Sequence, residues 1–256
     1  MAVVERSDQG NARILTFNRP EARNAVNMAL LEELDAELER ALKEQVRCLV
    51  LEGTGIDYGA GGDTKEGVDK PPSYLERLLD LSVKTVRTIY TFPAPTISII
   101  QGNVMGASIE FALACDLRFV ARNAKIRVGF DRFAAPPEVI SATVLPQLMG
   151  ISRAKHFFYS GEVWSGDDAV RDGLSNQVFP EEKLRAEALA FAEAVAAGPT
   201  GAYARGKAMM DMSFERTLEE NLAAAHKEGI AAQQTEDAAE GVAALAEGRI
   251  PVFKNR

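Results

Sequence analysis

The chain has 256 residues, 46% hydrophobic and 26% charged, with a formal net charge of −8. That length can bury a substantial core, and the composition is that of an ordinary globular protein. The acidic balance excludes bulk binding to nucleic acid, which needs lysines and arginines clustered against phosphates, but leaves room for a local basic pocket.

Two short strands are expected first, over 2–6 and 12–17, separated by the turn residues Asp8-Gln9-Gly10. The opening Met1-Ala2-Val3-Val4-Glu5-Arg6 lacks the basic-then-apolar order of a signal peptide, so a cytoplasmic location is expected. Leu30, Leu31, Leu34, Leu38, Ala41 and Leu42 mark one face of a helix over 28–44. A strand over 46–52 and an amphipathic helix over 73–90 follow, the latter stopped by Pro93 and Pro95. A strand over 96–101, a helix over 107–114 and a strand over 116–120 continue the alternation, which predicts an α/β core. Beyond Gly150 the spacing predicts short helices over 152–160 and 166–172, a strand over 176–179 and a helix over 180–197. After Gly198-Pro199 only helix is predicted, over 201–212, 214–233 and 235–246. The chain therefore divides into a core, 1–197, and a helical region, 198–256, whose apolar faces need a partner surface. No apolar run approaches the ~20 residues of a membrane span. Cys48 and Cys115 lie in apolar runs and are expected to be buried free thiols. His156 and His226 are the only histidines, which excludes a histidine-rich metal centre.

Two glycine-containing segments and one proline-containing segment punctuate this order: 58–66, with Ala60-Gly61-Gly62-Asp63; 102–110, with Gly106-Ala107-Ser108-Ile109-Glu110; and 130–138, ending Pro136-Pro137-Glu138. The first two follow strands and are expected to present backbone N–H groups where a helix begins, a geometry that stabilises an anionic oxygen. Taken singly, each also reads as a plain strand-to-helix turn or a site of tight packing. Glu110 falls one turn into an apolar helix, where a carboxylate is costly to bury unless it is paired or functional. Glu138 follows two prolines that stiffen its loop, and a solvated loop carboxylate is the plainer alternative. Asp131 is a weaker candidate, and Asp63 is expected to cap the following helix. Arg23, Lys65 and Lys254 are candidate phosphate contacts, which surface charge explains equally well. Two amide donors beside a carboxylate suit the chemistry of a thioester enolate.

With these segments in view, the chain resembles the crotonase superfamily of enoyl-CoA hydratases and isomerases over nearly its whole length. The resemblance rests on Leu15-Thr16-Phe17-Asn18-Arg19-Pro20 with Asn24-Ala25, on 60–66, on 95–116 ending Ala112-Leu113-Ala114-Cys115-Asp116, and on 236–241 and 248–253. It implies a spiral of ββα units, C-terminal helices that build a homotrimer or dimer of trimers, and an acyl-CoA substrate, with no metal and no cofactor beyond the coenzyme A of the substrate. By the same resemblance, the N–H groups of Gly62 and Ala107 form the oxyanion hole, Glu110 matches the first hydratase glutamate, and Arg23, Ala60, Lys65 and Phe130 fall at substrate-binding positions. The second hydratase glutamate falls at Phe130, a departure that disfavours two-glutamate hydration. Glu138 falls where several family isomerases carry an acidic residue after proline. An enoyl-CoA isomerase is therefore the leading expectation, with Glu138 as acid/base and Glu110 in support. Alternatives are hydration or dehydration with Glu110 as the principal acid/base, and decarboxylation or dehydration of an acyl group on an acyl carrier protein. The last is suggested by polyketide-tailoring members that carry a tail histidine, as at His226. A non-enzymatic binding member, favoured by Phe130, is the remaining alternative.

Overall fold

The computed structural model describes residues 2–66 and 68–255. Strands β1 (Val4–Gln9) and β2 (Ala12–Phe17) form an antiparallel hairpin, paired from Val4↔Phe17 to Gln9↔Ala12. Helix α1 (Met28–Lys43) starts at Asn27, whose side chain accepts the Leu30 N–H at 3.0 Å. It buries Leu30, Leu31, Leu34, Leu38 and Ala41 of the face that its spacing predicts, whereas Leu42, expected on that face, is exposed. Then come β3 (Cys48–Gly53), buried at every position, and α2 (Pro72–Tyr90), which tolerates Pro72 because the first N–H of a helix has no partner. They are followed by β4 (Thr96–Ile100), β5 (Asn103–Met105), α3 (Ala107–Ala114), β6 (Leu117–Ala121) and β7 (Lys125–Arg127). Helices α4 (Ser141–Met149), α5 (Ile151–Ser160) and α6 (Gly166–Arg171) lead to β8 (Gln177–Phe179) and α7 (Glu181–Ala197). The chain ends in α8 (Thr200–Asp211), α9 (Leu218–Gln233) and α10 (Glu236–Glu247).

The main sheet has the order β1-β2-β3-β4-β6-β8 and is parallel from β2 onward. Its central strands are buried on both faces and mostly apolar, as a covered parallel sheet requires. Helix α7 packs across β2, β3, β4, β6 and β8, and α1 packs on β1, β2 and α2. A second, parallel pair, β5 and β7, stands beside this sheet, and an isolated bridge Gly59↔Val104 adds a third position to it. Three times, then, the chain runs along the main sheet, steps sideways onto the small one, and leaves it again. The next α-helices along the chain after these exits are α2, α3 and α4. That is the spiral that the resemblance implies.

The sideways step after β4 is made at Gly102, with φ +56°; a Cβ there would lie 1.8 Å from the Ile56 carbonyl oxygen, so only glycine fits. The strands β5 and β7 and the helix α4 were not expected from periodicity. Three-residue strands carry no readable alternation, and α4 is short and contains Pro146. The expected helix over 214–233 begins only at Leu218, where Thr217 and Glu220 form a capping box. The segment after Gly62 is likewise turn rather than helix, so Asp63 caps a turn, accepting the N–H groups of Lys65 (3.2 Å) and Glu66 (3.4 Å).

Buried polar groups tie the pieces together. The guanidinium of Arg118, 3% exposed, donates to the carbonyls of Cys115 (2.6 Å) and Leu174 (2.6 Å) and more distantly to that of Ala112 (3.4 Å), closing the C-terminal end of α3. Arg47 donates to the carbonyls of Gly198 (2.6 Å) and Phe253 (2.9 Å), and Lys207 pairs with Asp116 at 2.8 Å, so the terminal helices are anchored to the core. Cys48 and Cys115 are buried and free, and burial pushes each thiol up to about 12. Among the described residues no helix is long and apolar enough to cross a membrane.

Candidate active site

The loop that carries Gly62 is held by a buried polar network. Asn24, 1% exposed, donates to the carbonyls of Thr54 (2.9 Å) and Asp57 (2.8 Å). The carboxylate of Asp57, also 1% exposed, accepts the Asn103 N–H at 2.7 Å and the Arg23 Nε–H at 2.6 Å. These contacts lay residues 57–61 alongside β5, with Tyr58 N–H on the Gln101 carbonyl (2.9 Å) and Gly59 N–H on that of Asn103 (3.0 Å). Val26 then brackets Gly62: its N–H donates to the Gly61 carbonyl (2.7 Å) and its carbonyl accepts the Asp63 N–H (2.8 Å). The N–H of Gly62 itself has no protein acceptor among the described residues, and a Cβ on Gly62 would meet nothing within 4 Å.

The second donor is the first residue of α3. At that position the helix offers no acceptor, and the Ala107 N–H has none elsewhere among the described residues. Gly106 leads into it with φ 52° and ψ −130°, a conformation that side-chain-bearing residues avoid, and a Cβ there would lie 3.4 Å from the Gly61 Cα and 4.0 Å from the Gly62 nitrogen. Two amides without an acceptor among the described residues thus lie on adjoining segments, one of them at the positive end of a helix.

Glu110 is one turn further along α3 and is 1% exposed. Its Oε2 accepts the N–H groups of Ile140 (2.7 Å) and Ser141 (2.9 Å), and its Oε1 accepts the Ser141 hydroxyl at 2.6 Å. The carboxylate therefore caps the N-terminus of α4 from a different element. Burial pushes the Glu110 carboxyl up, and the hydrogen bonds from Ser141 and Ile140 oppose the shift. Glu138 lies two residues before that cap on an exposed stretch, with no hydrogen-bonding partner for its carboxylate among the described residues. Its carboxyl is raised, first by loss of solvent and then by the negative charge of Glu110. The residue as a whole is open to water; the like charge of Glu110 is the contribution that the architecture explains.

The segments of Gly62 and Ala107 therefore adjoin, Glu110 lies one turn along α3 from Ala107, and Glu138 is close enough to Glu110 to feel its charge. The other candidates are placed differently. Arg23 leans on Asp57, Ala60 donates its N–H to the Arg23 carbonyl (3.0 Å), and Lys65 is exposed on the turn beyond Gly62. Phe130 is 3% exposed and belongs to the hydrophobic core, and Asp131 pairs with Arg127 at 2.6 Å. His226 on α9 and Lys254 near the C-terminus are exposed side chains of the helical region. A cleft of about 600 Å³ between α8, α9 and α10, walled by Ala202, Ala232, Ala238 and Phe253, holds none of the four site residues. Ser141 was not anticipated; its role depends on α4, whose proline and short length conceal it in the sequence.

The chain as a whole has counterparts among known proteins. Residues 8–256 match the family model described as enoyl-CoA hydratase/isomerase. The chain belongs to that family. Among relatives, it is 31% identical to the 2,3-dehydroadipyl-CoA hydratase of Escherichia coli, covering 98% of each chain, and 30% identical to the putative enoyl-CoA hydratase/isomerase YngF of Bacillus subtilis, covering 94% of each. Among solved structures, an enoyl-CoA hydratase from Bacillus anthracis superposes with a TM-score of 0.95 at 27% identity, over 99% of this chain and all of that one. The crotonase fold is thereby established, and an acyl-CoA substrate fits this enoyl-CoA hydratase/isomerase family member.

Proposed function

We propose that this enzyme moves a carbon–carbon double bond within an enoyl-CoA thioester. The observation that carries the reading is the unequal state of the two carboxylates. Glu110 is engaged by three donors that hold α4, whereas Glu138 beside it has no partner among the described residues; burial raises both carboxyls, and the charge of Glu110 adds to the rise at Glu138. A base that must also return its proton works best with a pKa drawn toward the working pH. In the proposed reaction the Glu138 carboxylate takes a proton from C2 of a 3-enoyl thioester. The electron pair moves into a dienolate whose oxygen accepts the N–H groups of Gly62 and Ala107. The same carboxyl then delivers the proton to C4, leaving the 2-enoyl product. Each amide donor of this kind stabilises the charged state by about 3–4 kcal/mol. Phe130, buried where hydration would call for a second glutamate, is consistent with a reaction that adds no water. Arg23, Ala60 and Lys65 are proposed to border the thioester arm, because they flank the loop of Gly62.

The hydratase names of several relatives favour a second reading, hydration with Glu110 as the principal acid/base. Mass spectrometry of 3-enoyl-CoA and 2-enoyl-CoA incubated with the enzyme in deuterium oxide separates the two. Isomerisation predicts interconversion with deuterium incorporation and no added water; a product heavier by one molecule of deuterium oxide, without migration, overturns the proposal. The same substrates on an acyl carrier protein test the carrier-bound alternative.

A homotrimer or dimer of trimers is proposed as the assembly. Met210, Phe214, Leu218, Leu222, Val242 and Leu245 all expose more than half of their surface in the helical region, more apolar area than a lone subunit usually leaves in water. Light scattering at micromolar concentration is expected to give a multiple of three times the 27.7 kDa chain mass, and a monomer there contradicts it.

A further inference from the structure

The two proposed oxyanion donors lie on separate segments, and the backbone pairing that aligns those segments stops short of them. The last rung is Met105 N–H on the Gly59 carbonyl, at 3.2 Å; the next amide, Gly106 N–H, turns away to the Val128 carbonyl at 3.0 Å. Beyond that point one hydrogen bond connects the loop of Gly62 to α3 among the described residues. The Gly61 N–H donates to the Ser108 Oγ at 3.1 Å, in a fully buried setting. Gly61 immediately precedes one donor, Gly62, and Ser108 immediately follows the other, Ala107. We infer that Ser108 is the positioning residue of the oxyanion hole, its hydroxyl setting the separation and direction of the Gly62 and Ala107 amides.

The surroundings are built to admit that hydroxyl. A Cβ on Gly59 would sit 2.3 Å from the Ser108 Oγ and 2.6 Å from its Cβ, so a side chain at Gly59 and a serine at 108 exclude each other. Gly61, at φ +97°, turns its N–H toward the hydroxyl rather than toward the pocket. Gly62 is then left with its own N–H free. Alanine at 108 would remove the acceptor and leave the Gly61 N–H buried without a partner, so the loop would shift to find one. Shifts of about 1 Å in groups that contact a reacting centre cost on the order of 100-fold in rate.

This inference rests on the thioester reading of the site but not on the direction of the reaction, and the test is chosen accordingly. A saturated acyl-CoA labelled with carbon-13 at the thioester carbonyl binds without turning over, and isotope-edited infrared spectroscopy reads how strongly its carbonyl is polarised. The wild-type enzyme is expected to lower the carbonyl stretching frequency relative to the free thioester. Ser108→Ala should lose most of that lowering, with kcat falling about 10- to 100-fold while KM changes little. Ser108→Cys, whose sulfur is a weaker acceptor, should recover part of both effects. Circular dichroism checks that both variants are folded. A wild-type carbonyl frequency and kcat in folded Ser108→Ala overturn the inference. An unshifted carbonyl in the wild-type enzyme overturns it too, together with the hole itself. A shifted wild-type carbonyl without isomerase activity sinks only the isomerase proposal, and the inference is still decided by the spectra of the variants.

Discussion

Glu138→Gln is expected to reduce double-bond migration by roughly 10²–10⁴-fold, the range that positioned general acid–base groups contribute. An amide has the shape and reach of the carboxyl but neither takes nor returns a proton at neutral pH, so thioester binding should survive. Glu110→Gln is expected to cost less. The amide oxygen can still accept from the N–H groups of Ile140 and Ser141 while the NH₂ donates to the Ser141 hydroxyl, which keeps α4 capped. The pH profile offers an independent reading. Glu138 must be ionised to act as the base, so kcat/KM should be present at high pH and fall as pH drops through its raised pKa. Removing the charge of Glu110 takes away one cause of that rise, so Glu110→Gln should move the acid limb to lower pH. Steady-state rates with 3-enoyl-CoA and 2-enoyl-CoA across pH check both statements. Wild-type activity of Glu138→Gln on every thioester would remove the proposed base; an indispensable Glu110 beside a silent Glu138 would transfer the role to hydration.

Ala107→Pro is expected to lower turnover by about 10²–10³-fold with the fold intact. Proline is suited to the first position of a helix, where its φ is already helical and its missing N–H breaks no intrahelical bond. Gly106, with no Cβ, accommodates the ring that follows it. The substitution therefore deletes little besides the proposed donor to the substrate oxygen. Gly62→Pro tests the other donor, since the bridge to Val26 uses the Gly61 carbonyl and the Asp63 N–H and leaves the Gly62 N–H out. Circular dichroism and kcat/KM measured together decide the matter. Two folded, fully active proline variants are incompatible with an enolate held by these amides.

Much of the architecture is legible in the chain because the long elements advertise themselves. The apolar spacing of Leu30, Leu31, Leu34 and Leu38 predicts α1, and the apolar run over 48–51 and the isoleucine-rich run of β4 predict strands. The glycines at 61, 62 and 106 mark close backbone approaches, and both proposed oxyanion donors lie at or beside them. The expectation of a helix after Gly62 did not hold. The loop there is organised by Asp57, Asn24 and Asn103, whose partners lie 30 to 46 residues away in the chain, too far for a local pattern to reveal.

By itself, then, the sequence determines the alternation of strands and helices, the two glycine-marked approaches and the family, because period, turn chemistry and motif are local properties. Only the tertiary structure decides what each polar group does once the segments meet. The strands β5 and β7 exist because they pair with each other, not because three residues prefer extension. Glu110 reads as a free candidate in its own helix and becomes a cap for another, because α4 presents unsatisfied N–H groups to it across 30 residues of chain. Ser108 reads as a small residue that permits tight packing and becomes a hydrogen-bond acceptor for Gly61. Hydrogen-bond partners are settled by distance in space, and separation along the chain does not encode it.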